Sequence, residues 1–428
     1  MTYRLYAQNE TPGSASTTFA MVVLAIFALL RPITVSFHHL GTLSLLDLFG
    51  VTSSYLMLLA LLANLRNIRL PAVSYFILFY AFYCILSISW GSGYREVVRA
   101  VAPFLSFFLV LAAVRSEGQA KFLLGMLSLG YLLPVLGSIY LILAGRSQVT
   151  VTGSLLERQA GLASGVHTAG HLMLFFSFAF ALYHLLDKKG GPIKNLLLAL
   201  LLAGSLFCMY KTFTRTVFLG GLVFWSGYFL LTSRKRFVLL VTALAAVSLT
   251  QLPKLQSMVM QKQVKSGVYD VNAAGSGREE LWKHNLALYA GLPVSSQLLG
   301  VGLGQETKRA PGSHLTWAGS HNDYMSLLVT VGVFGLALYL AIYGSFLLAA
   351  LRSPWGKELR SLALAVMLAV LLMNFVSNSY VVRFQMAQLL WFLLGLVYAC
   401  GLTRPDEVPR PQEGEAGPEP VLLVRHAR

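Results

Sequence analysis

Residues 320–350 read SHNDYMSLLVTVGVFGLALYLAIYGSFLLAA. The polar stretch Ser320-His321-Asn322-Asp323 leads into an apolar run that continues to Ala350. A helix over 322–350 would rise about 43 Å, more than the roughly 30 Å hydrocarbon core of a bilayer. The stretch therefore predicts a membrane-spanning helix with His321 at its mouth, close to the membrane surface.

Comparable apolar stretches recur along the chain. They predict spans at 17–36, 44–65, 71–90, 96–114, 121–144, 166–186, 193–211, 214–232, 236–252, 322–350, 359–380 and 384–402. The expected fold class is all-α, a polytopic membrane protein of about 12 transmembrane helices. Composition agrees: of 428 residues 56% are hydrophobic and 12% charged, and the mean hydropathy is +0.66. A soluble domain carries about 25% charged residues, so a large soluble core is a poor reading. The net charge of +16 would point to nucleic acid in a soluble protein. No basic patch is interleaved with stacking aromatics on a polar domain, so no nucleic-acid partner is expected. Cys84, Cys208 and Cys400 each lie in an apolar segment, and give neither a disulfide framework nor metal-ligand spacing.

Lys and Arg in the connections set the orientation. Arg66, Arg69, Arg115, Lys121, Lys188, Lys189, Lys194, Arg234, Lys235, Arg236, Arg352, Lys357, Arg360 and Arg404 fall on alternate connections. Those connections are expected to be cytoplasmic, with both termini inside. Residues 1–16 are polar and lack a signal-peptide pattern, so they read as a cytoplasmic N-terminus ahead of a retained first span. Residues 17–252 hold spans one to nine, and 322–402 the last three. Residues 403–428, rich in Pro and Glu, read as a disordered cytoplasmic tail.

One outward connection is long, 253–321. Leu281, Trp282, Leu286 and Tyr289 recur at near-helical spacing and predict an amphipathic helix over Glu279–Ala290. A structured loop of this length is commonly a lid or a binding element. The series Gly300, Gly302 and Gly304 follows. It either offers backbone N–H groups to phosphate or makes a turn.

Several cations face outward against the topology rule. They are Arg95 and Arg99 at the fourth span, Arg146 and Arg158 before the sixth, Lys211 and Arg215 around the seventh-to-eighth turn, Arg278 in the long loop, and Arg383 before the last span. Single outward arginines can snorkel to lipid headgroups. As a set they exceed the nearby carboxylates and suit a phosphate-bearing, membrane-embedded ligand, because Arg binds phosphate with a planar, permanently charged fork. Arg215 is the leading candidate, since it sits in a tight turn between two spans. His321 at its loop-to-helix boundary can accept or orient a hydroxyl proton. Its plainer alternative is a capping or interfacial histidine. Asn322 and Asp323 read as helix-start caps, and Gly332 and Gly335 as sites of close helix packing. His167 and His171 share a helix face. With no third ligand in sight they read as cavity-lining or packing residues, and no metal is expected.

His321-Asn322, nine residues, then Gly332-Val333-Phe334-Gly335 resembles the O-antigen ligase and polymerase superfamily of membrane glycosyltransferases. Thr214-Arg215-Thr216, Gly277-Arg278-Glu279-Glu280-Leu281-Trp282 and Leu299-Gly300-Val301-Gly302-Leu303-Gly304 extend the resemblance. It covers about 207–345 by motif and the rest by hydropathy. The resemblance implies a GT-C-like fold and transfer of O-antigen from undecaprenyl pyrophosphate to lipid A–core. It places this on the periplasmic face of a Gram-negative inner membrane, within lipopolysaccharide biosynthesis. The donor, the acceptor and membrane lipid would be the partners, with no cofactor and no metal. Displacement of pyrophosphate would invert the anomeric carbon. His321 and Arg215 would be catalytic, and Arg215, Arg278 and Arg158 would bind the pyrophosphate. Arg95, Arg99, Lys211 and Arg383 are weaker candidates for an anionic ligand. O-antigen polymerase and protein O-oligosaccharyltransferase are the near alternatives. A lipid-linked glycan transporter is a different class, disfavoured because no internal repeat is evident and the charges cluster at one face.

Overall fold

A computed structural model describes residues 15–37, 39–40, 43–151, 157–188, 190–259, 278–306, 316–317, 319–377 and 383–403. The expected cytoplasmic N-terminus and disordered tail therefore lie almost wholly outside the described residues, as do His314 and residues 260–277 and 307–315 of the long connection.

Among the described residues, eleven helical spans are long and apolar enough to cross a membrane. They are α1 (Ala15–Ser36), α2 (Leu45–Ala63), α3 (Ala72–Leu86, extended by a 3-10 turn to Trp90), α4 with α5 (Tyr94–Val101 and Phe104–Ala113), α6 (Glu117–Leu143), α7 (Val166–Leu186), α8 (Pro192–Lys211), α9 (Arg215–Thr232), and, later in the chain, α13 (Asp323–Arg352), α14 (Lys357–Val376) and α15 (Phe384–Thr403). Between them come α10 (Arg234–Val259), α11 (Arg278–Ala290) and α12 (Val294–Leu299). The ninth expected span, 236–252, falls inside α10, whose side chains beyond Ala246 are outside the described residues. The protein is an all-α polytopic membrane protein. Two short hairpins, β1–β2 (His39–Leu40 with Leu43–Ser44) and β3–β4 (Val149–Val151 with Glu157–Gln159), are antiparallel.

Pro103 lacks an N–H and divides the fourth span into α4 and α5. The seventh-to-eighth connection is as short as the spacing predicts. Thr212-Phe213-Thr214 joins α8 to α9, with Phe213 at φ 45°.

The bundle is built around α7 and α15. Each is buried along 89% of its span, whereas α8 is buried along 22%. Their sequences are largely apolar around the whole circumference, as a central helix requires. Phe175, Phe176, Leu389 and Phe392 are fully enclosed. Gln388 in α15 is a buried polar exception, as are His171 and Ser177 in α7; the Gln388 amide donates to Ser54 Oγ of α2 at 2.9 Å.

The basic connections gather at one end. Lys121 and Lys194 both reach Asp187, at 3.8 and 2.6 Å, and Lys188 pairs with Glu358 at 2.5 Å. Arg69 donates to Val114 O at 2.8 Å. The hydrogen bond from Lys194 and the nearby Lys121 hold the Asp187 carboxyl below its usual range.

At the opposite end α13 is broken. Gly332 has φ 67° and ψ −172°, a region open essentially to glycine alone. The break frees carbonyls that cannot be left bare in a membrane. Val301 N–H donates to Val329 O at 3.0 Å, Gly302 N–H to Thr330 O at 2.9 Å, and Tyr83 Oη–H to Val331 O at 3.0 Å. A Cβ on Gly332 would stand 2.3 Å from Leu298 O, and one on Gly300 2.3 Å from Thr330 O. The Gly300–Gly304 series is thus a turn that closes the kink. The amides of Gly300, Val301, Gly302 and Leu303 are all engaged, to Ser296 O, Val329 O, Thr330 O and Ser92 Oγ. The phosphate-cradle alternative loses those donors, and Gly332 serves as a break rather than a packing glycine. Gly335 does pack closely: its Cβ would stand 3.0 Å from the Tyr83 ring.

Gly332→Ala is expected to lower the unfolding midpoint in detergent, by a destabilisation of about 1–3 kcal/mol. Gly344→Ala, in open space on the same helix, is expected to leave the midpoint unchanged or raise it slightly. Equal midpoints for both variants would contradict the kink account.

Candidate functional site

Three segments bring arginines to the kinked end of the bundle. Arg158 lies on β4, pinned to β3 by the Thr150–Arg158 register. Its Nε donates to Thr212 O and its Nη2 to Thr214 Oγ1, both at 3.0 Å. The fork therefore clasps the α8–α9 turn immediately before Arg215. Arg215 is the first residue of α9, and Thr214 is its N-cap. Arg278 opens α11 and donates from Nη1 to Val376 O at the end of α14. All three side chains are half-buried.

The cations feel one another. Burial, and then the neighbouring Arg215 charge, push Arg158 below the ordinary guanidinium range. The same two causes act in the same order on Arg278. Arg215 is thus the common neighbour of the other two. Like charges held together in a partly dehydrated site are costly until an anion joins them.

His167 is also in the group. It lies within electrostatic reach of Arg158, Arg383 and Arg278. His171, one turn on, is fully buried, and its Nδ1 meets His167 O at 2.6 Å. The pair separates into one packing histidine and one that lies among arginines. Arg383 donates from Nη1 to Thr168 Oγ1 at 3.2 Å. That bond ties the start of α7 to the residue before α15, at the ends of the two central helices.

His321 is exposed and has φ 48°. Phe213 and His321 are the two non-glycine residues with positive φ among the described residues. Such strain persists where surroundings enforce it, commonly at functional sites. Here the enforcement is visible. Asn322 caps α13, accepting from Met325 N–H at 3.0 Å. Ser320 Oγ donates to Asn322 O at 2.9 Å, and Trp282 Nε1 donates to Ser320 O at 2.6 Å. Trp282 sits one turn after Arg278 and meets the Phe375 ring at 5.3 Å. The loop helix α11 therefore holds Arg278 and the His321 backbone in one neighbourhood.

The expected amphipathic helix is present, with a different buried face. Asn285 and Tyr289 are buried and Leu286 is exposed. Tyr289, Leu292, Trp317 and Val329 form a small core of their own against α13.

The weaker candidates scatter. Arg95 is exposed on α4. Lys211 lies over the Phe207 ring at 5.6 Å. Arg99 and Arg383 line a separate cavity with Asp47. Sequence reading missed His167 as a member of the arginine group and missed Arg31 altogether. Arg31 is fully buried in α1, between the Phe49 and Phe384 rings. The available signal was simple: an ionisable residue inside a span is a candidate by default.

Inorganic pyrophosphate is expected to raise the unfolding midpoint of the wild-type protein. Arg158→Gln, Arg215→Gln and Arg278→Gln are each expected to remove most of that rise. A rise of equal size in all three variants would show that the arginines do not form an anion site.

Residues 198–340 match the family model described as O-Antigen ligase. The matched stretch holds α9, α11, α12 and the kinked part of α13, with Arg215, Arg278 and His321. A search of curated proteins finds no match.

Proposed function

Through residues 198–340 the chain belongs to the O-antigen ligase family, and on that premise we propose that it moves O-antigen from undecaprenyl pyrophosphate to a sugar hydroxyl of lipid A–core. It is a membrane glycosyltransferase of the ligase and polymerase type, acting on lipid-linked glycans. The proposed setting is the periplasmic face of a Gram-negative inner membrane, with both termini cytoplasmic.

The observation that carries this reading is that Arg158 and Arg278 both feel the Arg215 charge, while the helix that opens with Arg278 also holds, through Trp282 and Ser320 O, the backbone next to the exposed, positive-φ His321. A pyrophosphate diester gains charge as its glycosyl bond breaks. Fixed guanidinium groups stabilise that charge more in the transition state than in the ground state, which is what acceleration requires. The developing positive charge stays on the sugar, where the transition state has oxocarbenium character. The acceptor oxygen approaches the face opposite the leaving group and forms the new bond as the C–O bond to pyrophosphate breaks. The anomeric carbon inverts, and the hydroxyl proton must leave. In this reading His321 orients that hydroxyl and takes the proton. Three arginines supply the charge neutralisation that a divalent metal would otherwise give, so the step is proposed to be metal-independent.

His321→Asn keeps a side chain tolerant of positive φ and removes the base. It is expected to lower glycan transfer by about 10²–10⁴-fold while the protein stays folded. Arg215→Gln is expected to lower kcat by about 10²–10³-fold. Transfer at the wild-type rate in either variant would remove that residue from the mechanism. Reconstitution with purified donor and either lipid A–core or a second donor molecule separates ligase from polymerase: product with lipid A–core alone is expected. Activity lost to a chelator and restored by metal would overturn the metal-independent step.

A further inference from the structure

The start of α7 packs against the start of α9. Thr214, the N-cap of α9, accepts from Arg158 Nη2 and donates from Oγ1 to Val166 O at 3.4 Å. Val166 is the first residue of α7 and His167 the second, while Arg215 is the first of α9. One turn along α7, a Cβ on Gly170 would stand 2.9 Å from Val217 Cγ2 and 3.3 Å from Thr212 Oγ1. The two helix starts are therefore in close contact, with no room for a side chain at residue 170. On the other side of His167 in the chain, Thr168 Oγ1 accepts from Arg383 Nη1 at 3.2 Å.

The His167 side chain lies within electrostatic reach of Arg158 and Arg278. Each of those is in turn within reach of Arg215. Arg158 and Arg278 thus have both Arg215 and His167 as neighbours. The imidazole is half-buried, and its ring makes no hydrogen bond among the described residues. Gly165 leaves α7 without a side-chain cap, and the positive end of the helix adds to the pull on an anion. Histidine in that place offers a hydrogen-bond donor without adding a permanent charge to a group already dense in cations.

We propose that His167 belongs to the anion site and gives an imidazole N–H to a phosphate oxygen of the donor's pyrophosphate. The inference rests on reading the Arg158, Arg215 and Arg278 group as the pyrophosphate site, and adds to it a contact that carries no fixed charge. The ring takes no proton in the step. It fixes where the phosphate oxygen lies while the arginines meet the charge. His171, fully buried one turn on with its Nδ1 2.6 Å from His167 O, stays a packing residue outside the contact.

The test uses the full chain purified in detergent, with inorganic pyrophosphate as the probe. By isothermal titration calorimetry, His167→Phe is expected to weaken binding about tenfold, the loss of one hydrogen bond to a charged group. His184→Phe, exposed in the last turn of α7, is expected to bind as the wild type does. A second measurement uses the wild-type chain and decides the question even where His167→Phe fails to fold. Labelling by diethyl pyrocarbonate, mapped by mass spectrometry, is expected to slow at His167 when pyrophosphate is bound and to proceed unchanged at His184. Wild-type affinity in His167→Phe, or equal labelling of His167 with and without pyrophosphate, would overturn the inference. Arg215→Gln separates it from the reading beneath it. Weakened binding in Arg215→Gln with wild-type binding in His167→Phe removes His167 alone. Wild-type affinity in Arg215→Gln removes the arginine site itself, and the inference with it.

Discussion

The arrangement at the kinked end of the bundle turns on holding Arg158, Arg215 and Arg278 together. Guanidinium groups cannot escape by losing a proton, and burial strengthens their repulsion. A fold that keeps them close must fix each one by other means. Arg158 is fixed by its fork on the α8–α9 turn, and Arg278 by the Val376 carbonyl at the end of α14. Arg215 is carried on a helix start, where a turn of three residues leaves little slack. In the proposed mechanism this arrangement favours an anion, whose binding energy is used where the chemistry needs it.

The second constraint is backbone satisfaction. A helix broken in a membrane leaves bare carbonyls, so breaks survive only where protein covers them. The break at Gly332 is covered by the Gly300–Gly302 turn and by Tyr83. That coupling ties the loop between α11 and α13 to the span headed by His321. It also explains why two glycine groups about thirty residues apart in sequence belong to one structural device. Packing of α11 on α13 then sets where Arg278 and His321 lie relative to each other.

Much of this was legible in the sequence because hydropathy and charge placement are strong signals in membrane proteins. The spans follow from apolar runs, and the α8–α9 turn from the two-residue gap at Phe213. Arg158, Arg215 and Arg278 stand out in the sequence as cations in connections expected to face outward. Other features needed three dimensions. The kink at Gly332 looks in sequence like a small-residue packing pair, since only backbone angles distinguish the two. The buried face of α11 turns on Asn285, a polar residue that periodicity of apolar positions passes over. His167 reads as half of a histidine pair until the fold surrounds it with arginines from other segments. Arg31 was hidden by the apolar run around it, although its charge alone made it worth attention.

The central proposal is that Arg158, Arg215 and Arg278 jointly hold the pyrophosphate of a polyprenyl-linked donor. Electron cryo-microscopy of the full chain in nanodiscs with undecaprenyl pyrophosphate tests it most directly. Density for the two phosphates in contact with all three guanidinium groups is expected, with His321 facing the anomeric side. Phosphate density away from those arginines, with the three side chains unchanged, would contradict it.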